Sequence, residues 1–152
     1  MIQLRKALLS DITSMQSLVV SKVSDGTILA RSDDEVATNI RSYKVALDNN
    51  IIIGYMALHI HSPRLGEIRS LIVKEEYRGK KIGKMLVQSA IDEANYMGLK
   101  EVLVLTYLPD FFKKLSFIEI DKSDIPEHKI WTDCIKCLHF PVCDEISLVY
   151  KV

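Results

Sequence analysis

One segment of this 152-residue chain constrains its fold more than any other: an apolar strand pattern, a basic glycine-containing loop and a long helical pattern follow one another. Residues 65–74 are typical of a strand, and the loop Arg78-Gly79-Lys80-Lys81-Ile82-Gly83 comes soon after them. Apolar residues then recur at helical spacing from Gly79 to Met97, which predicts the longest helix of the chain, with Gly98 as its stop. The predicted inner face of this helix comprises Gly83, Leu86, Ala90, Ala94 and Met97.

The start of that helix is suited to binding an anion. The first N–H groups of a helix have no partners inside it, and the helix dipole places partial positive charge there. Glycines at positions 79 and 83 let the backbone approach a ligand closely. Cationic side chains flank them at Arg78, Lys80, Lys81 and Lys84. The loop therefore predicts a seat for a pyrophosphate, with a basic surface turn that merely begins a helix as the alternative.

The remaining patterns predict a single mixed α/β domain over residues 1–152. Strands are expected at residues 2–8, 101–107, 117–120 and 145–150, and a hairpin is expected from 45–47 and 51–61 around the turn 48–50. Helices are expected at residues 11–22, 33–43 and 110–115, the first with Asp11 as its N-cap. The order β-α-α-β-β-β-α-β-α-β-β favours a mixed central sheet of about seven strands flanked by about four helices.

Composition argues against several classes of function. Twenty basic residues balance twenty acidic ones, so neither nucleic acid nor a membrane surface is expected as a partner. The N-terminus does not have the pattern of a signal peptide, and the longest apolar stretch, around residues 51–60, is too short to span a membrane. Three cysteines within ten residues do not make a disulfide framework, so we expect a cytoplasmic protein. The oligomeric state stays open, a homodimer included.

The run from Ser70 to Leu86, Ser-Leu-Ile-Val-Lys-Glu-Glu-Tyr-Arg-Gly-Lys-Lys-Ile-Gly-Lys-Met-Leu, resembles the acetyl-CoA motif of the GNAT superfamily, whose loop reads Gln/Arg-x-x-Gly-x-Gly/Ala. Lys81 stands where the family has its inner glycine. A second segment, 111–117, reads Phe-Phe-Lys-Lys-Leu-Ser-Phe and resembles the family's Phe-Tyr-x-x-Leu-Gly-Phe. The resemblance implies the GNAT fold and acetyl-CoA as cofactor, with CoA as product. The cofactor positions that it implies are Leu71, Ile72, Val73, Arg78, Gly79, Lys80, Lys81, Ile82, Gly83, Lys84, Phe111 and Phe112.

Acetyl transfer to an amine needs a base, because amines are mostly protonated at neutral pH. Glu67 is the best candidate, since it shares a strand face with Arg69 and the resemblance places the acetyl group at the end of that strand. An ion pair of Glu67 with Arg69 or with a cation of a neighbouring strand is the alternative. The resemblance further implies that a backbone N–H near Ile72 or Val73 holds the thioester carbonyl oxygen.

The leaving group has two possible routes. The family often supplies a tyrosine as general acid where this chain has Phe112. An ordinary thiol has a pKa of about 8.5, so the thiolate can leave unassisted; alternatively Tyr107 donates the proton.

Outside the cofactor motif, the chain resembles the short, single-domain form of N-acetylglutamate synthase, an enzyme of arginine biosynthesis. The resembling segments are residues 28–32, 67–71, 105–107 with 111–112, and 128–134. The resemblance implies L-glutamate as the acceptor, and arginines are natural clamps for its two carboxylates. The expected clamps are Arg31 and Arg69, with Lys129 as a third option; a solvated Arg31 ahead of a helix N-cap at Ser32 is the alternative. Longer synthases carry an arginine-sensing domain for which this chain has no room, so arginine regulation is not implied.

Histidines and cysteines give weaker signals. A structural zinc site needs four ligands, usually from two knuckles, whereas this chain offers one Cys-x-x-Cys pair and one outlying cysteine. We therefore predict no metal and expect small buried cysteines, with zinc as the alternative. The residues concerned are His128, Cys134, Cys137, His139 and Cys143. His59 and His61 share a strand face and are expected to be solvated.

Two other functions stay open at the level of sequence. One is acetylation of another small amine or of a protein N-terminus. The other is a non-catalytic module that binds CoA or zinc.

Overall fold

A computed structural model describes residues 1–121, 124 and 145–152. Its strands are β1 (Ile2–Lys6), β2 (Tyr43–Asp48), β3 (Ile51–Ile60), β4 (Leu65–Val73), β5 (Glu101–Thr106), β6 (Ile118–Ile120) and β7 (Ile146–Lys151). Its helices are α1 (Ile12–Ser24), α2 (Asp33–Thr38), α3 (Ile82–Met97) and α4 (Pro109–Lys113). The strands form one mixed sheet in the order β1-β2-β3-β4-β5-β7-β6. The predicted order of elements and the seven-stranded α/β architecture are confirmed for the described residues.

The described residues group into two compact units, of which the first comprises residues 1–59 and 68–90. In it β1 pairs antiparallel with β2, and β2 pairs antiparallel with β3, with one irregularity between Ala46 and Leu47. The turn between β2 and β3 has positive φ at both Asn49 (50°) and Asn50 (68°), which is the conformation that tight hairpins require. The buried core of this unit comprises Ala7, Met15, Val19, Val36, Tyr43, Val45, Leu47, Tyr55, Ala57 and Ile72.

The second unit comprises residues 60–67 and the described part of 91–152. The first three residues of β4 pair in parallel with β5, from Leu65 opposite Glu101 to Glu67 opposite Leu103. β7 pairs antiparallel with β5 on one side and with β6 on the other. Three consecutive residues of β5, Val102 to Val104, are buried, as the unbroken apolar run of this strand predicts. Buried side chains in this unit include Val102, Leu103, Val104, Phe112, Phe117, Leu148 and Val149.

Three predicted helices are shorter in the structure than their patterns suggest, the last only slightly, since α4 ends at Lys113 rather than at residue 115. α2 ends at Thr38, and Tyr43 begins a strand instead, because its carbonyl accepts from the Ala7 N–H and its backbone pairs with Ala57. The predicted start of α3 at Gly79 is also wrong: α3 begins at Ile82. The preceding residues cannot be helical because Gly79 and Lys81 have positive φ.

Two residue-level predictions also need correction. Asp11 stands ahead of α1, but its carboxylate does not cap that helix. It accepts instead from the Leu8 N–H at 2.7 Å and from both terminal nitrogens of Arg5, at 2.7 and 3.1 Å. These charged bonds tie β1 to the turn before α1, and they hold the pKa of Asp11 below its usual range. Met97 is exposed rather than on the inner face of α3, because it lies in the last turn.

Among the described helices, none combines the length and apolarity that crossing a membrane would need.

Candidate functional site

The basic loop before α3 has the backbone conformation of an anion seat. Gly79 has φ +80°, and no atom lies within 4 Å of the Cβ that an alanine there would carry. Lys81 also has positive φ, 66°, although it is not a glycine. The first helical hydrogen bond runs from the Met85 N–H to the Lys81 carbonyl, so the N–H groups of the three residues between them have no acceptor one turn back. The loop therefore presents these N–H groups together with the exposed side chains of Arg78, Lys80 and Lys81.

Tyr77 anchors this loop to the β2–β3 turn. Its hydroxyl donates to Asp48 Oδ2 at 2.7 Å, and the Lys80 ammonium lies 5.1 Å from the centre of its ring. The hydrogen bond holds the pKa of Asp48 below its usual range and raises the pKa of Tyr77. Sequence analysis did not single out either residue, because their 29-residue separation hides the contact.

Gly54 of β3 marks a close approach of the strand that leads to the loop. A Cβ at this position would lie 2.8 Å from the Ile72 carbonyl oxygen and 3.4 Å from Val73 Cα. The Lys74 N–H, just beyond β4, donates to the Ile53 carbonyl at 2.7 Å. Glycine is therefore required here for space rather than for an unusual φ.

β4 carries the predicted base, Glu67, and the predicted cofactor positions Leu71, Ile72 and Val73, and it is irregular. Ser70, in the middle of the strand, has φ +56°, which breaks the simple alternation that the sequence suggested. Leu71 and Val73 are half-buried and Ile72 is buried. Because a left-handed residue reorients the backbone groups beside it, such irregularities often lie next to active sites. The predicted common face of Glu67, Arg69, Leu71 and Val73 therefore holds only up to Ser70.

Glu67 is buried and contacts His61. The Nε2 atom of His61 lies 2.8 Å from Glu67 Oε1, and both side chains are 3% exposed. The sequence-based expectation that His61 is solvated is thus wrong. His61 immediately follows β3, and the tight turn to β4 brings it back over Glu67, six residues later in the chain. A histidine and a glutamate flanking a predicted turn are the signal that sequence analysis overlooked.

Arg31 lines a small hollow in the first unit. Gln16 Nε2 donates to the Arg31 carbonyl at 2.8 Å and to Asp33 Oδ1 at 3.1 Å, which fixes the segment that carries the arginine. Ser32 is the N-cap of α2, as the alternative interpretation of this segment required, and its hydroxyl accepts from the Glu35 N–H. The other side chains around the hollow are Met15, Gln16, Val19, Ile28, Leu29, Val36, Tyr43, Tyr55 and Ser70.

The two tyrosines of this hollow were not predicted from the sequence. Tyr43 and Tyr55 are buried, with ring centres 5.9 Å apart. Burial raises the pKa of Tyr55, and the neighbouring Tyr43 raises it further. The Tyr55 hydroxyl therefore stays neutral at physiological pH and can serve as a hydrogen-bond donor to a bound group.

The aromatic landmark after β5 lies in the second unit. Phe112 is 3% exposed, and its ring makes edge contacts with Phe111 at 5.0 Å and with Phe117 at 5.2 Å. Phe117 in turn lies 5.4 Å from Tyr150. Phe112 is therefore a core residue, whereas Phe111 keeps part of its surface accessible. Tyr107, the alternative proton donor, is half-buried just beyond the end of β5.

Of the remaining predicted site residues, some lie within the part of the chain that the structure describes and others lie outside it. Arg69 is half-buried on β4, and Lys84 is exposed in the first turn of α3. Lys129, together with the cysteines and histidines weighed for zinc, lies outside the described residues. Within residues 1–121, 124 and 145–152, no group of three or more metal-ligating side chains is assembled.

Comparison with known proteins identifies the family. The model of the acetyltransferase (GNAT) family matches residues 14–117. An uncharacterised N-acetyltransferase of Chlorobaculum tepidum is 38% identical over 145 residues, which covers 95% of this chain and 93% of that one. The amino-acid acetyltransferase of an Enterobacter species is 26% identical over 129 residues, which is 84% of this chain but 29% of that protein.

A solved structure confirms the fold. The N-acetylglutamate synthase of Neisseria gonorrhoeae, crystallised with coenzyme A and N-acetyl-glutamate, superposes with a TM-score of 0.89 at 20% identity. The match covers 99% of this chain and 35% of that one. This chain therefore spans about a third of the length of the amino-acid acetyltransferases that it resembles, and at this identity the likeness shows the fold.

Proposed function

Since the chain belongs to the acetyltransferase (GNAT) family, we propose that it transfers the acetyl group of acetyl-CoA to the α-amino group of an amino acid, with L-glutamate as the favoured acceptor. The observation that carries the acceptor class is the hollow lined by Arg31, Tyr43 and Tyr55, which brings together one cation and two tyrosines, side chains of the kinds that bind a carboxylate. The likeness to amino-acid acetyltransferases over 84% of this chain supports the same choice.

Acetyl-CoA is the donor that the family uses, and the residues present fit it. The open space beside Gly79 lets a phosphate approach the backbone, and the N–H groups of Ile82, Gly83 and Lys84 are available at the start of α3. Arg78, Lys80 and Lys81 would neutralise phosphate charge. Leu71, Ile72 and Val73 of β4 would flank the thioester arm, and Phe111 offers accessible aromatic surface while Phe112 supports it from the core.

When bound, acetyl-CoA supplies an acetyl group activated as a thioester. In the proposed reaction Glu67 removes a proton from the acceptor ammonium, directly or through a water, and so frees the nitrogen lone pair. A backbone N–H near Ile72 or Val73 donates to the carbonyl oxygen as negative charge develops there. The nitrogen–carbon bond then forms as the carbon–sulfur bond breaks.

The departing sulfur needs little help. A thiol pKa of about 8.5 makes the thiolate an acceptable leaving group, and the proton released by the new amide nitrogen restores the thiol. Tyr107 is the candidate donor if assistance is used, because Phe112 has no proton to give.

The acceptor is proposed to be held by arginines. Arg31 binds one carboxylate in the hollow, and Arg69 of β4 is the candidate for the second. Lys129 is a further candidate that lies outside the described residues. An arginine fork binds a carboxylate through two parallel hydrogen bonds, which lysine cannot reproduce.

The test is a panel of amino acids and polyamines, each supplied with acetyl-CoA while free thiol release is recorded. We expect L-glutamate to give the fastest release, Glu67→Gln to lower kcat by about 100-fold or more, and Arg31→Ala to raise the KM for glutamate. Arg31→Lys is the matched control: it keeps the charge and loses the fork, so it should fall between the wild type and Arg31→Ala. Transfer to polyamines or peptides but not to glutamate would replace the acceptor, and CoA binding without turnover of any amine would favour a non-catalytic module.

A further inference from the structure

The buried contact between His61 and Glu67 has no role in the family assignment or in the residues predicted from the sequence. Both side chains are 3% exposed, and the Nε2–Oε1 distance of 2.8 Å is that of a strong hydrogen bond. Burying a carboxylate costs free energy unless it is hydrogen-bonded or paired. A purely structural position in a strand would be filled more stably by an apolar side chain. The pair is therefore retained at a cost, which points to a function.

The backbone that carries the two side chains is firmly held. The His61 and Ser62 N–H groups both donate to the Leu65 carbonyl, at 2.9 and 3.2 Å. The Ser62 hydroxyl accepts from the Arg64 and Leu65 N–H groups. This tight turn fixes the separation of His61 from Glu67.

The same turn is fastened to the start of β5. The Arg64 carbonyl accepts from the Lys100 and Glu101 N–H groups, at 2.8 and 3.0 Å. Beyond it, Glu67 pairs with Leu103 in the parallel ladder. These bonds fix the backbone positions from which the imidazole and the carboxylate extend, and burial of both side chains limits their alternative rotamers, so the dyad is preorganised.

We propose that His61 is a positioning residue that holds Oε1 of Glu67 through its Nε2 atom and so orients the carboxylate that takes the proton of the acceptor ammonium. This inference rests on the proposed role of Glu67 as the base. The hydrogen bond to Oε1 restricts rotation of the carboxylate about the last bond of the Glu67 side chain. Such orientation of a reacting group matters because a displacement of about 1 Å can cost up to about 100-fold in rate.

Two amide substitutions separate this role from packing. The glutamine amide nitrogen can take the place of histidine Nε2, whereas the shorter asparagine amide reaches only the position of Nδ1. Both replacements are polar and neutral. We expect His61→Gln to keep kcat within about fivefold of the wild type and His61→Asn to lower it by about 10- to 100-fold, with the KM for acetyl-CoA unchanged in both.

A control variant measures how much a small loss of core packing beside Glu67 changes kcat on its own. Ile68→Val removes one buried methylene next to Glu67 and should lower stability slightly without changing kcat. If His61→Asn retains wild-type kcat, or if His61→Gln is as impaired as His61→Asn, the positioning role is refuted. If kcat instead falls in Ile68→Val as far as in His61→Asn, the effect is packing and the proposal fails.

The outcome is distinguishable from failure of the proposed function. The assays use acetyl-CoA with whichever amine the wild type turns over fastest, so a wrong choice of glutamate does not affect them. If Glu67→Gln has wild-type kcat, the base assignment falls and the positioning role falls with it. If Glu67→Gln is impaired while His61→Asn is not, only the inference about His61 is wrong.

Discussion

Two glycines with the same backbone conformation allow the effect of a substitution on ligand binding to be distinguished from its effect on stability. Gly79 in the basic loop has φ +80°, and Gly98 at the end of α3 has φ +87°. At both positions an added Cβ meets no atom within 4 Å. An alanine would therefore suffer the same backbone strain and no clash at either site in the ligand-free protein.

The cost of each substitution can be worked out from that conformation. A left-handed backbone destabilises the folded state of a chain with an L-residue at that position by about 1–2 kcal/mol. Alanine also reduces the conformational entropy of the unfolded chain, which offsets about 0.4–1 kcal/mol of that loss. Gly79→Ala and Gly98→Ala should each lose about 1 kcal/mol of unfolding free energy. For a chain of this size that corresponds to a fall in Tm of about 2–4 °C.

The two variants should differ only when CoA is added. The methyl group of Gly79→Ala would occupy the space through which a phosphate approaches the loop, so we expect its Kd for CoA to rise at least about 10-fold, or about 1.4 kcal/mol. Gly98→Ala should keep the wild-type Kd within about twofold. Thermal unfolding without ligand and calorimetric titration with CoA measure the two quantities independently.

Three results would refute this reasoning. Wild-type CoA affinity in Gly79→Ala would show that the pyrophosphate does not approach this glycine. An equal loss of affinity in Gly98→Ala would show that general destabilisation, rather than the loop, governs binding. Unfolding free energies that differ by more than about 1 kcal/mol between the two variants would show that backbone strain is not their shared cost.

Three further predictions concern stability. Asp11→Asn should lose about 2 kcal/mol of unfolding free energy at pH 7, because it breaks the charged bonds to Arg5. Since the pKa of Asp11 is lowered on folding, the contribution of its carboxylate to stability is complete above about pH 5. In urea unfolding, the difference in stability between the variant and the wild type should therefore shrink as the pH falls below about 4. Gly54→Ala should lose about 2 kcal/mol in the same assay, because the added Cβ meets the Ile72 carbonyl at 2.8 Å; wild-type stability would mean that the two strands separate easily. Lys81→Gly should gain about 0.5 kcal/mol, because relief of left-handed strain exceeds the entropy cost of glycine; a loss would mean that the Lys81 side chain stabilises the loop.

The order of elements could be predicted because each rests on a local signal. The paired asparagines at 49 and 50 predicted the β2–β3 turn, and both residues adopt the positive φ that such turns need. Gly98 predicted the end of α3 for the same reason. The unbroken apolar run of β5 predicted a buried strand, and Val102, Leu103 and Val104 are buried.

The parts of the site that could not be predicted depend on contacts between distant segments. Tyr77 meets Asp48 across 29 residues, and the hollow around Arg31 gathers Tyr43, Tyr55 and Ser70 from three strands. A pattern of period two assigns a residue to a strand face, but it gives no information about which side chain lies opposite. His61 was misjudged for this reason: it was assigned to the exposed face of a strand over residues 51–61, whereas β3 ends at Ile60 and the following turn brings His61 to Glu67.

At two positions the family motif indicates a positive φ that the residue type alone would not predict. Lys81 and Ser116 stand where the resembled motifs have glycine, and they adopt φ of 66° and 74°. Ser116 follows α4 with the same bonding as Gly98 after α3: its N–H donates to Lys113, and the next N–H donates to Phe112. Propensity alone would not place a lysine or a serine in this region. At both positions the chain adopts this conformation without the residue that favours it, so the surrounding contacts must compensate for about 1–2 kcal/mol at each. Because the loop keeps its shape without its inner glycine, the departure at Lys81 is no argument against acetyl-CoA binding.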